Sequence, residues 1–156
     1  MDTTWFREQA EKLSPTLYRV AQSILRSSPD AQDAVQEALL KAWAARDRCH
    51  QETFAPYVTR ILINECRNIQ RQRMRLTPVE NLPEEAAPPE GADLDLRDAI
   101  NRLPDSLRLP ILLRYMEGWP DAMVAKALGI TALAVRGRLH RGRKALHHLL
   151  ERGNAQ

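Results

Sequence analysis

Six side chains near the C-terminus share one kind of chemistry. Arg136, Arg138, His140, Arg141, Arg143 and Lys144 fall within nine residues. Guanidinium forks match phosphate oxygens and the O6/N7 edge of guanine, and a lysine ammonium serves phosphate as a point charge. Such a set binds a polyanion. The stretch that must position it is residues 119–147. The spacing predicts a short apolar-periodic helix over 120–128, a turn at Gly129 and a long helix from near Ala132. That is the layout of a helix-turn-helix. Val135, Leu139, Leu146, Leu149 and Leu150 form the inward stripe of the long helix. At about 100° per residue, Leu133, Ala134, Gly137, His140, Arg141 and Lys144 fall on its outward side. A helix packed on one side and basic on the other can enter a major groove.

A second basic set closes a helix expected over 53–72. Arg67, Arg71, Arg73 and Arg75 alternate there with Asn64, Asn68, Gln70 and Gln72. Amides and arginines suit phosphates and base edges, although a solvated helix face would carry the same residues. Phe54, Val58, Ile61, Leu62 and Ile69 make the apolar side of this helix, with Glu65 an exception among them. A third set is acidic and polar. On a strongly periodic helix over 30–45, Ala31, Ala34, Val35, Ala38, Leu39 and Ala42 face inward and Asp33, Gln36, Glu37 and Lys41 face outward.

The remaining chain supplies the frame. Helices are expected over 2–12, capped by Thr3 or Thr4, and from Pro15 through Leu17, Ala21, Ile24 and Leu25. Residues 46–51 read as a loop. Residues 77–93 hold Pro78, Pro83, Pro88, Pro89, Gly91 and four acids between Glu80 and Glu90, which reads as a flexible acidic linker. Beyond it a helix is expected over 94–103, then one over 107–116 capped by Asp105 or Ser106, with Leu109, Leu112, Leu113 and Met116 inward. The basic helix ends in a frayed tail over 152–156. The fold class is therefore all-α: two small helical domains, 1–76 and 94–152, joined by the linker, the second a four-helix domain.

Composition agrees with this frame. The 156 residues are 44% hydrophobic and 28% charged, with few glycines. The net charge of +3 is unevenly spread. Residues 1–76 carry 12 Lys/Arg against 9 Asp/Glu, residues 77–98 carry 1 against 7, and residues 99–156 carry 10 against 4. Two basic blocks thus flank an acidic segment, a distribution suited to a polyanion without non-specific coating of it. Cys49 and Cys66 have no metal spacing and read as reduced cytosolic thiols. His50, His140, His147 and His148 form no metal constellation, so no metal and no cofactor are expected. There is no Gly-rich phosphate loop and no nucleophile–base set, which argues against an enzyme with a small-molecule substrate. No signal peptide or membrane segment is visible.

Both blocks together resemble the extracytoplasmic-function (ECF) sigma factors of bacterial RNA polymerase. DAQDAVQEALLKAW (30–43) is similar to the family's polymerase-binding helix. FAPYVTRILINECRNIQRQR (54–73) resembles its promoter-melting and −10 stretch. LPDSLRLPILLRYMEGWPDAMVAKALGI (103–130) and ALAVRGRLHRGRKAL (132–146) resemble its −35-binding domain. The resemblance implies contacts from Asp33, Gln36, Glu37, Leu40 and Lys41 to the β and β′ subunits of core polymerase. It implies −10 DNA contacts from Asn64, Arg67, Asn68, Arg71 and Arg73, with an extruded-base pocket in the loop 46–53. It implies −35 contacts from Arg136, Arg138, His140 and Arg141, with Arg143 and Lys144 on phosphate. It further implies an anti-sigma partner that could hold the chain at a membrane. Departures concentrate in the second block: Met123 stands where the family has Glu, and Leu133-Ala134-Val135-Arg136-Gly137-Arg138 replaces the usual Gly-Thr-Val-Lys-Ser-Arg. In the first block Tyr57 replaces Trp and Asn68 replaces Asp. Two other classes remain open. A regulatory protein-binding module would bury the arginines of 132–144. A two-domain repressor would need a symmetric dimer surface and an effector pocket.

Overall fold

The computed structural model describes residues 2–76 and 95–154, with side chains through 152. The linker expectation for 77–93 lies outside the described residues. All regular structure described is helical: α1 Thr3–Leu25, α2 Ser28–Ala44, α3 Phe54–Leu76, α4 Leu96–Asn101, α5 Asp105–Ile111, α6 Asp121–Leu128 and α7 Ala132–Asn154. Short 3₁₀ turns, Arg46–Arg48 and Gln51–Thr53, fill the expected loop before α3.

The first three helices pack on one another. Leu13, Leu17, Val20, Ala21, Ile24 and Leu25 form the buried side of α1. That stripe is continuous, so the chain does not break at Pro15 as expected. Pro15 sits exposed inside one 23-residue helix. It lacks an N–H and would cost about 3 kcal/mol in an isolated helix, a cost that burial of the stripe on both sides offsets. The cap is Asp2 rather than Thr3 or Thr4: its carboxylate accepts from Trp5 N–H at 2.7 Å. Ser27 caps α2, with Pro29 in the first turn. Trp5, Phe6, Trp43 and Phe54 close the end of this bundle through edge-to-face pairs 5.0–5.4 Å apart, a geometry that aromatic quadrupoles favour.

The second block is α4–α7. Neither Asp105 nor Ser106 caps it; α5 begins at Asp105 after Pro104, with Arg108 buried, donating to the Leu103 carbonyl at 2.6 Å and paired with Asp105. The expected helix over 107–116 is α-helical only to Ile111, and Leu112–Met116 forms a π-turn. A π-turn takes an extra residue per turn, so Met116 swings out to 61% exposure while Leu109, Ile111 and Leu113 stay buried. Gly118 and Gly129 carry positive φ at the two following turns. α7 runs as helix to Asn154, past the start of the expected fray.

The two blocks touch. α6 lies against α3, and the Arg60 guanidinium lies beside Gly129, 3.2 Å from where a side chain there would begin. Arg19 of α1 grips Glu117 with both arms, Nε to Oε1 at 2.7 Å and Nη2 to Oε2 at 2.9 Å. The Glu117 side chain is only 6% exposed. Arg26 donates to the Asn101 carbonyl at 2.7 Å.

Candidate nucleic-acid interface

The recognition-like helix is built as its pattern requires. Val135, Leu139 and Leu146 are buried, and Arg136, His140, Arg141, Arg143 and Lys144 are exposed. Arg138 is half-buried. Gly129, at φ 69°, ends α6 and lets the chain reverse into α7. The Thr131 hydroxyl accepts from Ala134 N–H at 3.0 Å, so α7 has a side-chain cap. The hydroxyl stands one residue before the helix, and a Ser or Thr just ahead of an apolar-periodic run is the sequence signal for such a cap. Arg143 donates to the Tyr115 hydroxyl. The other five candidates of this row make no hydrogen bond or ion pair among the described residues.

Gly142 has a packing reason. A Cβ there would lie 3.0 Å from Ile111 Cγ1, so α5 approaches α7 where the side chain is missing. Gly137 is different: a Cβ there would meet only Arg141 Nη1, at 3.3 Å.

The first block presents two neighbouring rows. Asp33, Gln36, Glu37 and Lys41 are exposed on α2 beside Leu40, itself 59% exposed. On α3, Asn64, Arg67 and Arg71 are exposed, and Asn68 and Arg73 half-buried. A groove runs between the rows, its walls including Asp33, Glu37, Lys41, Glu65, Asn68 and Arg71. Its charges are knitted together. Lys41 pairs with Glu65, Arg73 with Asp30, and Arg71 donates to Asn68. Arg73 also donates to the Leu25 carbonyl at 3.0 Å, tying the C-terminal half of α3 to the end of α1. Glu65, the polar exception on the apolar side of α3, is thereby explained as the acceptor for Lys41. That hydrogen bond is the main reason the Lys41 ammonium is held above its ordinary range. In the loop before α3, Arg46 lies 4.0 Å over the Trp43 ring and donates to its carbonyl at 2.9 Å. Cys49 is half-buried, and burial raises its thiol. Burial pushes the Cys66 thiol up to about 12, with Glu65 and Asp105 adding to the shift.

Known proteins with this layout agree in both halves. Residues 10–76 match the family described as Sigma-70 region 2, and residues 93–146 match Sigma-70, region 4. The ECF RNA polymerase sigma factor SigL of Mycobacterium tuberculosis is 31% identical over 86% of this chain and 82% of its own. The chain belongs to the ECF RNA polymerase sigma factors. SigE of Mycolicibacterium smegmatis, another ECF sigma factor, is 27% identical over 96% of this chain, which spans 62% of that relative's length. Among solved structures, the sigma factor RpoE in complex with the anti-sigma factor NepR from Bartonella quintana matches with a TM-score of 0.73 and 27% identity, over 94% of this chain and 96% of that one. Among the described residues of this sigma factor, no helix is long and apolar enough to cross a membrane.

Proposed function

We propose that this sigma factor joins core RNA polymerase through α2, reads and opens a −10 element with α3 and the loop before it, and reads a −35 element with α7. Asp33, Gln36 and Glu37 offer acceptors to arginines of the polymerase clamp, with Leu40 as an exposed apolar anchor among them. Asn64, Arg67, Asn68, Arg71 and Arg73 hold the −10 strand. Arg136, Arg138, His140 and Arg141 face base edges, with Arg143 and Lys144 on phosphate. The protein works in the bacterial cytoplasm and makes or breaks no bond itself. The observation that carries the reading is the state of α7: Val135 and Leu139 are buried while Arg136 and Arg141 stand exposed without a partner among the described residues. A protein-binding module with buried arginines would show the reverse.

Elements near −10 and −35 lie roughly 25 base pairs, or about 85 Å, apart on B-form DNA. Blocks joined through α3 and α6 cannot reach both, so the arrangement described here must open on the way to a promoter. An anti-sigma factor is the natural agent for holding it closed. A groove of about 850 Å³ at the junction is lined in part by Tyr18, Gln22, Leu96, Ile100, Leu112 and Met116, and the matching RpoE structure is itself an anti-sigma complex.

Run-off transcription with core polymerase on a promoter library tests the proposal. Replacing Arg136 and Arg141 with Ala removes two base or phosphate contacts and should lower −35-dependent transcription roughly 10- to 100-fold, leaving core binding intact. Unchanged output would remove the −35 assignment.

A further inference from the structure

Leu133 is 73% exposed, as the second residue of α7. Among the described residues it lies outside the hydrophobic core, although the Thr131 cap fixes the turn that carries it. It heads the outward row that continues through Gly137, His140, Arg141 and Lys144, at helical spacings of 4, 7, 8 and 11. The first two turns of that row have no side-chain donor or acceptor: Leu133, Ala134 and Gly137 are all apolar or bare. The polar groups of the outward face begin with Arg136 at its edge and with His140 and Arg141 below. In a helix-turn-helix, the N-terminal residues of the second helix are the ones that meet base edges. A leucine pressed against adenine, guanine or cytosine in the major groove would strip water from a donor or acceptor without replacing it. The thymine C5-methyl is the apolar feature of that groove.

We infer that Leu133 is a specificity-determining residue, packing on a thymine C5-methyl under the N-terminal turn of α7. Gly137 assists by leaving space over which the Arg141 guanidinium lies back along the helix, 3.3 Å from where a Cβ would be. The leucine and the arginine thus read neighbouring base pairs, one by methyl contact and the other by hydrogen bonds. The inference rests on α7 being the −35 reader.

The test uses holoenzyme reconstituted from core polymerase and the full chain. A −35 element is first selected from a random library. Each thymine in it is then replaced by uracil, which deletes only the C5-methyl. With the wild-type chain, one or two positions should lose about 3- to 10-fold in promoter binding, the scale expected for uncovering one buried methyl contact. Leu133→Ala should bind the thymine promoter worse by a similar factor and be indifferent to uracil at those positions. A selected element without thymine, or wild-type binding that ignores every uracil, overturns the inference. So does a Leu133→Ala defect that appears in core binding rather than on DNA. The parent reading fails separately, if the Arg136→Ala/Arg141→Ala chain still uses the selected −35 element normally.

Discussion

The two candidate DNA-facing helices are held in opposite ways. On α3, three of the five candidates are tied into the fold: Arg73 is bound to Asp30 and the Leu25 carbonyl, and Arg71 to Asn68, while Glu65 holds Lys41 across the groove. On α7, only Arg143 of the candidate row has a partner among the described residues, the Tyr115 hydroxyl. The difference has a physical meaning. Side chains already fixed by their neighbours lose little rotamer freedom when a ligand arrives, but they must exchange existing bonds for new ones. Unpaired arginines lose more freedom and break nothing. On the proposed function the first block is therefore a preset surface, which would suit a demanding step such as holding a distorted strand. On the same reading the second is an adaptable reader, whose accuracy would depend on how well its backbone is placed. The packing of α7 on α5 consequently matters more than any single contact made by its outward arginines.

That dependence can be broken at one atom. Gly142 lies against Ile111, and a Cβ there would come within 3.0 Å of Ile111 Cγ1 and 3.2 Å of Cδ1. Gly142→Val should destabilise the second block by about 1–3 kcal/mol through overpacking, read as a fall in the chemical-denaturation midpoint. Gly137→Ala is the matched control, because its Cβ would meet only the mobile end of Arg141. It should stabilise α7 by up to about 1 kcal/mol through helix propensity. Equal effects at the two glycines would show that α7 is not seated on α5 as described.

The glycines also show what sequence can and cannot disclose. Periodicity alone located α2, α3, α6 and α7, since a stripe of buried residues at helical spacing leaves a direct trace in the chain. Gly129 announced the turn through the backbone conformation it permits. The break expected at Pro15 failed because a local rule was outweighed by apolar residues on both sides of it. Met116 was misplaced because a π-turn changes angular spacing without a composition signal. The long-range pairs were illegible for another reason. Nothing in the neighbourhood of Glu117 marks it as the partner of Arg19, 98 residues earlier. Lys41 was read as an outward-facing residue, and its bond to Glu65 depends on how α2 and α3 cross.

The junction between the blocks offers a test of intermediate size. Arg19→Ala would leave the nearly buried Glu117 carboxylate without its guanidinium, and an uncompensated buried charge is unfavourable. The blocks should part more often. Cys66 can report this, since it is fully buried on α3 and close enough to Asp105 of the second block to feel that carboxylate. The thiolate is the reactive form, so a thiol pushed up to about 12 in a closed core reacts slowly with iodoacetamide near pH 8. Arg19→Ala should speed alkylation of Cys66 several-fold while leaving the more accessible Cys49 nearly unchanged. An unaltered Cys66 rate would mean that the apolar contact of α6 on α3 keeps the junction closed without the ion pair.

The smallest effect should come from the pair that best represents the preset surface, Lys41 with Glu65. Lys41 is raised above its ordinary 10.5, first by the hydrogen bond it donates to Glu65 and then by the charges of Glu65 and Glu37, against a desolvation effect of opposite sign. A raised folded-state value means that the charged form is favoured by folding. The contribution is therefore complete below pH 10.5 and lost as pH rises through the higher folded value. Lys41 is solvent-accessible, so salt should weaken the pair as well. Lys41→Met should lower stability slightly at pH 8 in low salt, and the gap from the wild type should close both above pH 10.5 and in high salt. Glu65→Gln should mimic it, and the double variant should add little, because the two single changes remove the same contact. Additive losses in the double variant would show that Lys41 and Glu65 act independently. The α3 row would then be less preset than its bonds indicate, and the contrast with α7 would narrow to the anchoring of Arg73.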